Sequence, residues 1–322
     1  MKTKLLYVLV STPEDVYLEQ AFVSAASARK HNPQATMALL SDADTLASLE
    51  GRAPAFCALF QEKVPVAFGP EVPRMTRSRL LKTGMRNYLE GDFLYIDADT
   101  VVAGSLEEAD ALEMPLAACL DLHCPFREHP HHDATVNMCR RLGFDASAET
   151  AYFNSGVMLV KDTPENHAFF SAWQENYRHS AACGIRPDQP SLALTNAAMG
   201  HPLQVLPPRW NCQVQSGVRY LREALVFHYM CTYLTPEAGG QLYCLNDRKV
   251  LLQVREQGLQ AVGDVLEDPM KGFAPVVRVT VGEDLHFFQT RRYRWLRSRF
   301  RRGRFSLLEF LLKVKDHLLG KV

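Results

Sequence analysis

The stretch that decides the fold is Gly91-Asp-Phe-Leu-Tyr-Ile-Asp-Ala-Asp-Thr-Val-Val102. Four apolar residues, Phe93 to Ile96, read as a short buried strand that ends in two aspartates. Side chains of an extended backbone alternate with period two, so Asp97 and Asp99 point the same way. Two carboxylates that close repel each other and call for a cation between them. A hard divalent ion, which prefers oxygen ligands, meets that need. Ligands of open α/β sheets collect at the carboxyl ends of strands, which is where this pair stands.

The flanking sequence supplies the rest of such a sheet. Leu5 to Val10 reads as a strand, Glu19 to Lys30 as a helix stopped by Asn32-Pro33, and Thr36 to Leu40 as a second strand. Strand, helix, strand opens an α/β unit with parallel pairing. Past a proline-rich stretch (Pro65, Pro70, Pro73), a helix is expected from Met75 to Leu89, ended by Asp92. Ala117–Leu120, Ser155–Val160, Leu203–Leu206 and Leu225–His228 read as later strands. Helices are expected from Asn166 to Tyr177 and from near Pro190. The 322 residues are 47% apolar and 22% charged, which excludes a disordered, collagen-like or coiled-coil chain. No apolar run reaches the 18 residues of a membrane span.

Two enzyme classes end a strand in D-x-D. Haloacid-dehalogenase-type phosphatases use the first Asp as nucleophile, and Asp97-Ala-Asp-Thr-Val101 fits their pattern, with Gly263-Asp to Asp268 as a second acidic motif. Nucleotide-sugar glycosyltransferases hold a metal on the donor diphosphate with it. The neighbouring segments favour the second class. Arg79-Leu-Leu with Gly91 to Val102 resembles the metal-motif region of glycosyltransferase family 8. Tyr152-Phe-Asn-Ser-Gly-Val-Met-Leu-Val160 is similar to that family's donor-sugar segment, and Pro187-Asp-Gln-Pro-Ser-Leu192 to its D-Q segment. Trp210-Asn211 and Phe227-His228-Tyr229 match its later motifs in the same order. Five pieces in register carry weight that one would not.

The resemblance implies a GT-A type, Rossmann-like mixed α/β sheet flanked by helices. It implies a retaining transferase that moves a hexose from a nucleotide diphosphate sugar, expected to be a UDP-sugar, to a saccharide hydroxyl. Asp97, Asp99 and His228 would be the ligands of Mn2+ or Mg2+. Ser11, Thr12, Tyr17, Arg79, Asn154 and Ser155 would bind the donor, and Asp188 and Gln189 would stand at the reacting centre. Two departures stand out. Family members commonly follow the His with a Gly-x-x-Lys that grips the diphosphate, whereas Met230-Cys-Thr-Tyr-Leu-Thr-Pro236 has no such Lys. Ser11-Thr-Pro-Glu-Asp-Val-Tyr17 matches the nucleotide-base loop only loosely. A phosphatase and a catalytically silent sugar-nucleotide binder are the alternatives.

The zero net charge hides an asymmetry. Residues 285–322 carry eleven Lys/Arg against Glu309 and Asp316, a net +9, which leaves −9 on residues 1–284. Tyr293, Trp295, Phe300 and Phe305 interleave with the arginines, and Ser306 to Leu319 reads as a helix with an apolar face. That composition suits an anchor on an anionic membrane surface better than a nucleic-acid site. The expected layout is a catalytic domain over 1–270 and a basic extension over 271–322. The acceptor would then be a glycan or lipid-linked saccharide, met on the cytoplasmic face. Eight cysteines without a C-x-x-C pair fit a reducing compartment, and the N-terminus reads as a strand, not a signal peptide. His123, Cys124, His129, His131 and His132 match no usual zinc spacing and are expected on a loop over the acceptor.

Overall fold

The computed structural model describes residues 1–214, 220–230, 242–273, 290–301 and 314. Its strands are β1 (Lys4–Leu9), β2 (Met37–Asp42), β3 (Glu62–Val66), β4 (Phe93–Ile96), β5 (Thr100–Val102), β6 (Leu116–Leu120), β7 (Phe153–Val160), β8 (Gln204–Val205), β9 (Cys212–Gln213) and β10 (Val226–His228). Seven form one mixed sheet in the order β3-β2-β1-β4-β7-β6-β8, and β5-β10-β9 form a second. Pairing is parallel from β3 through β4, and β7 runs antiparallel to both β4 and β6. The expected mixed α/β class is what the chain adopts.

Burial follows the sequence pattern. β2, β4 and β7 are buried along their whole length, as strands covered by helices on both faces must be. Helix Tyr17–His31 packs Ala21, Ala25 and Ala28 against one face. Helix Pro164–Ala182 packs Phe169, Phe170 and Trp173 against the other. The latter starts as its sequence dictates, with Thr163 accepting from Asn166 N (3.3 Å) and Pro164 in the first turn.

Some boundaries differ from expectation. The helix expected over 75–89 is Arg74–Thr83, and a short 3-10 turn, Met85–Asn87, follows it. Gln174 Nε2 donates to Leu80 O (2.8 Å), and a Cβ on Gly84 would lie 2.1 Å from that amide. Packing against helix Pro164–Ala182 thus closes the helix at Gly84, a long-range cause that local periodicity does not carry. The unforeseen β3 contains Pro65, which an edge strand tolerates because one side of it needs no ladder donor.

β7 contains the irregularity that builds the site. Ala118 of β6 lies opposite Met158, but the next residue, Cys119, lies opposite Asn154. Ser155, Gly156 and Val157 therefore have no partner in β6. A bulge of this kind re-aims side chains. An odd number of skipped residues also exchanges the two faces: Phe153 packs with Met158 and Val160, whereas Val157 and Leu159 enter the opposite core.

A third apolar cluster joins Tyr243, Leu245, Leu251 and Val254 to Val23, Val101 and Phe227, so residues 242–273 pack on the body. Arg291–Arg301 is a helix whose first residue donates to His129 O (3.2 Å) and Asp133 (3.2 Å). The apolar helix expected over 306–319 lies outside the described residues except for position 314. Among the described residues no helix is long and apolar enough to cross a membrane.

The turn after β4 is held from beneath by buried hydroxyls. Tyr7 and Ser24 lie 3.1 Å apart, Ser24 and Thr100 2.6 Å, and Thr100 Oγ1 donates to Asp97 O (2.9 Å). Thr100→Val keeps the shape and takes the hydroxyl away from Ser24 Oγ and Asp97 O at a fully buried position. Urea unfolding should show a loss of about 1–3 kcal/mol. An unchanged midpoint would mean that the network does not hold the turn.

Candidate active site

β1 and β4 are parallel neighbours, so their carboxyl ends share an edge of the sheet. Asp97 and Asp99 emerge there after β4. β10 pairs antiparallel with β5, which places His228 opposite Thr100, and Tyr229 N donates to Asp99 O (3.1 Å). Backbone register thereby delivers the imidazole to the aspartates. Asp97, Asp99 and His228 each offer a ligand atom, all within 4.8 Å of one another, the one such group among the described residues.

A relay of amides fixes the ring. Asn154 Nδ2 donates to Asp121 Oδ1 (2.8 Å), so Asn154 Oδ1 faces Asn211 and accepts from its Nδ2 (2.8 Å). Asn211 Oδ1 then lies 2.9 Å from His228 Nδ1, which must carry the proton. Nε2 is left toward Asp99 Oδ1, at 3.2 Å. Burial lowers the affinity of His228 for a second proton, but the charge and hydrogen bond of Asp99 outweigh it and raise the pKa above its ordinary value. Two carboxylates and an imidazole oriented through its other nitrogen form a donor set that could hold a divalent metal ion.

Gly156 has a different use from the one its sequence suggests. Its missing side chain reads as room for a ligand, yet a Cβ there would lie 2.3 Å from His228 Cε1 and 2.9 Å from Asn154 Oδ1. The space belongs to the imidazole.

A second group adjoins the first. Asp188 precedes helix Gln189–Ala198, but its side chain does not cap that helix. Oδ2 accepts from Ser155 Oγ (2.7 Å) and lies 3.7 Å from Lys82 Nζ, while Oδ1 lies 3.4 Å from Arg79 Nη1. Burial alone would raise the pKa of this carboxyl, but Lys82 and Arg79 more than offset it and hold the group well below the usual carboxylate range. Lys82 Nζ also donates to Asp97 Oδ2 (2.9 Å), and the Tyr95 hydroxyl donates to Asp97 Oδ1. Gln189 is half-buried and donates through Nε2 to Phe153 O (3.0 Å).

The structure thus brings together Asp97, Asp99, His228, Arg79, Asn154, Ser155, Asp188 and Gln189. Ser11 and Thr12 lie in the turn after β1, and Tyr17 opens the helix that follows. Ser11 Oγ and Thr12 N donate to Asp15 (2.8 and 2.7 Å), and Tyr17 is 49% exposed.

Lys82, Asp121, Asn211 and Tyr95 escaped the sequence reading as site residues. Lys82 had a usable signal, since it lies three positions after Arg79 and so faces the same way on the helix. The histidine cluster is more ordered than the expected loop. His129 is buried with Nε2 2.9 Å from Asp121 Oδ2, and His132 begins helix His132–Arg141. His123 meets the Tyr220 ring, and burial pushes its pKa down to about 4. Of the second acidic motif, Asp264 lies in helix Gly263–Glu267 and Asp268 accepts from Met270 N (3.0 Å). Neither stands with Asp97.

Residues 91–233 match the family model described as Glycosyl transferase family 8. That span holds every residue of the two groups except Arg79 and Lys82. Among solved structures, the chain is similar to the galactosyltransferase LgtC in complex with donor and acceptor sugar analogues. That likeness has a TM-score of 0.50 at 16% identity, over 88% of this chain and 99% of that one. The glycosyltransferase GlyE of Streptococcus pneumoniae TIGR4 gives a TM-score of 0.50 at 16% identity, over 85% of this chain and 66% of that one. The bifunctional glycosyltransferase WbbM gives 0.52 at 12% identity, over 84% and 51%. At such identities the likeness is one of fold. No curated protein matches the sequence.

The tight fit at Gly156 is testable. Gly156→Ala should drive the imidazole away from Asp99 and cost about 1–3 kcal/mol in urea unfolding. Wild-type stability in this variant would show that His228 has room to move.

Proposed function

Taking the chain as a family 8-like protein of GT-A fold, we propose that it is a retaining glycosyltransferase. It moves a hexose from a UDP-sugar to a hydroxyl of a glycan or lipid-linked saccharide. The observation that carries the reading is the junction of the two groups, Asp97–Asp99–His228 and Arg79–Ser155–Asp188, through Lys82.

Asp97, Asp99 and His228 would hold Mn2+ or Mg2+, and the bound ion neutralises charge on the departing diphosphate. Asn211 and Asn154 keep His228 in the tautomer that leaves Nε2 for the ion. Asp188 is engaged by Ser155, Arg79 and Lys82, which makes it an orienting anion that fixes the two bases. Gln189, tied by its Nε2 to Phe153 O, keeps its carbonyl oxygen for a sugar hydroxyl. Arg79, at 37% side-chain exposure, is the cation open to the donor. Ser11, Thr12 and Tyr17 would receive the nucleotide base at the end of β1. Together these contacts hold the anomeric carbon beside the acceptor oxygen.

The basic C-terminal extension, residues 271–322, would keep the catalytic domain on the anionic cytoplasmic face of a membrane. Each Lys or Arg near such a surface contributes on the order of 1 kcal/mol and is screened by salt. The acidic body would be repelled by the same surface.

Isothermal titration with UDP should show an affinity that requires Mn2+ and falls at least about tenfold in Asp99→Asn. Equal Mn2+-dependent binding in that variant would remove the metal assignment. Simple phosphate monoesters should not be hydrolysed; turnover that vanished in Asp97→Asn would instead reveal an aspartyl nucleophile.

The full chain should sediment with vesicles of anionic lipid at low salt and come off at high salt. Sedimentation that is absent at low salt would rule out the anchor.

A further inference from the structure

Lys82 is the element of the site that the sequence motifs do not assign. Its side chain is 4% exposed, and its ammonium lies between a carboxylate of the metal group and the carboxylate of the sugar group. The short contact is with Asp97 Oδ2, at 2.9 Å; Asp188 Oδ2 is at 3.7 Å and already accepts from Ser155. The Tyr95 hydroxyl takes Asp97 Oδ1, so both oxygens of Asp97 are engaged. An ammonium has three protons to give. One is given to Asp97 Oδ2, Asp188 Oδ2 stands at ion-pair distance, and the centroid of the Tyr95 ring lies 5.2 Å from the ammonium.

This arrangement sets two cations in competition for one carboxylate. A divalent ion at Asp97, Asp99 and His228 must share Asp97 with Lys82 or displace it. Either way it comes to rest a few ångströms from a buried positive charge, where repulsion is screened far less than at the surface. A diphosphate removes the conflict, because its oxygens can meet the ion on one side and the freed ammonium on the other.

We propose that Lys82 is a resident counter-cation of the donor site. It occupies Asp97 while the site is empty, opposes binding of the ion alone, and makes ion and nucleotide diphosphate enter together. The inference rests on the transferase reading. It also supplies the base required by the absence of a Gly-x-x-Lys after His228. Lys82 is a positioning residue in this scheme, since it acts through Asp97 and the diphosphate and needs no contact with the reacting carbon.

Coupling of this kind is reciprocal: the factor by which UDP tightens Mn2+ equals the factor by which Mn2+ tightens UDP. Mn2+ binding to the full chain is measured by equilibrium dialysis, with and without UDP, in wild type, Lys82→Met and Lys82→Arg. In wild type, UDP should tighten Mn2+ by at least about tenfold. In Lys82→Met, Mn2+ alone should bind more tightly than in wild type, and the enhancement by UDP should shrink. Lys82→Arg should keep the wild-type pattern. A merely damaged site would lose affinity for the ion, so a gain separates competition from a structural role.

Should Lys82→Met fail to fold, Lys82→Gln carries the same test with a polar side chain. Unchanged or weaker binding of Mn2+ alone in the folded variant overturns the inference. If wild type shows no Mn2+-dependent UDP affinity, the transferase reading itself fails. If it does and only the Lys82 variants leave the ion's affinity unmoved, that reading stands and this inference falls.

Discussion

Three carboxylates, Asp97, Asp99 and Asp188, converge at one edge of a sheet, and the site follows from the need to neutralise them. None can be relieved by water alone, since Asp188 is buried and the aspartates of the loop are at most partly exposed. The chain answers with Arg79 and Lys82 from one helix, His228 from a second sheet and donor hydroxyls from Tyr95 and Ser155. Unpaired charges in such a place would cost several kcal/mol each. Acidic groups gathered for chemistry therefore dictate which helix and which sheet must come to meet them.

The same demand explains the second sheet. β10 is only three residues long, too short to be stable by itself, yet its pairing with β5 carries His228 to Asp99. The β7 bulge complements it. By leaving Ser155 and Gly156 unpaired from β6, it lets Ser155 reach Asp188 and makes space for the imidazole.

Much of this was legible in the sequence because it is local. Phe93 to Ile96 followed by two aspartates is a strand and its end, and Asn154-Ser-Gly and Asp188-Gln are contiguous motifs. What stayed hidden arises from contacts across long stretches of chain. Gln174 ends a helix whose Leu80 lies 94 positions before it in sequence. Asp121 and Asn211 join Asn154 and His228 only after folding, and each taken singly is an ordinary polar residue. No local rule places His228 above Gly156, so the neighbour that needs its missing side chain is invisible in the segment itself. The Arg291–Arg301 helix was foreseen as a basic segment, whereas its contact with His129 and Asp133 was not.

The origin of His228 has a consequence for how such a site comes into being. It lies about 130 positions from Asp99, so the two meet only when a long loop of chain has closed and the entropy of that closure has been met. An unfolded chain keeps the aspartates close together but leaves the histidine remote. An ion that needs all three therefore distinguishes folded from unfolded chains sharply, and almost all of its binding energy becomes folding energy. Metal occupancy would thus report the assembled topology of the domain, not merely the presence of its acidic motif.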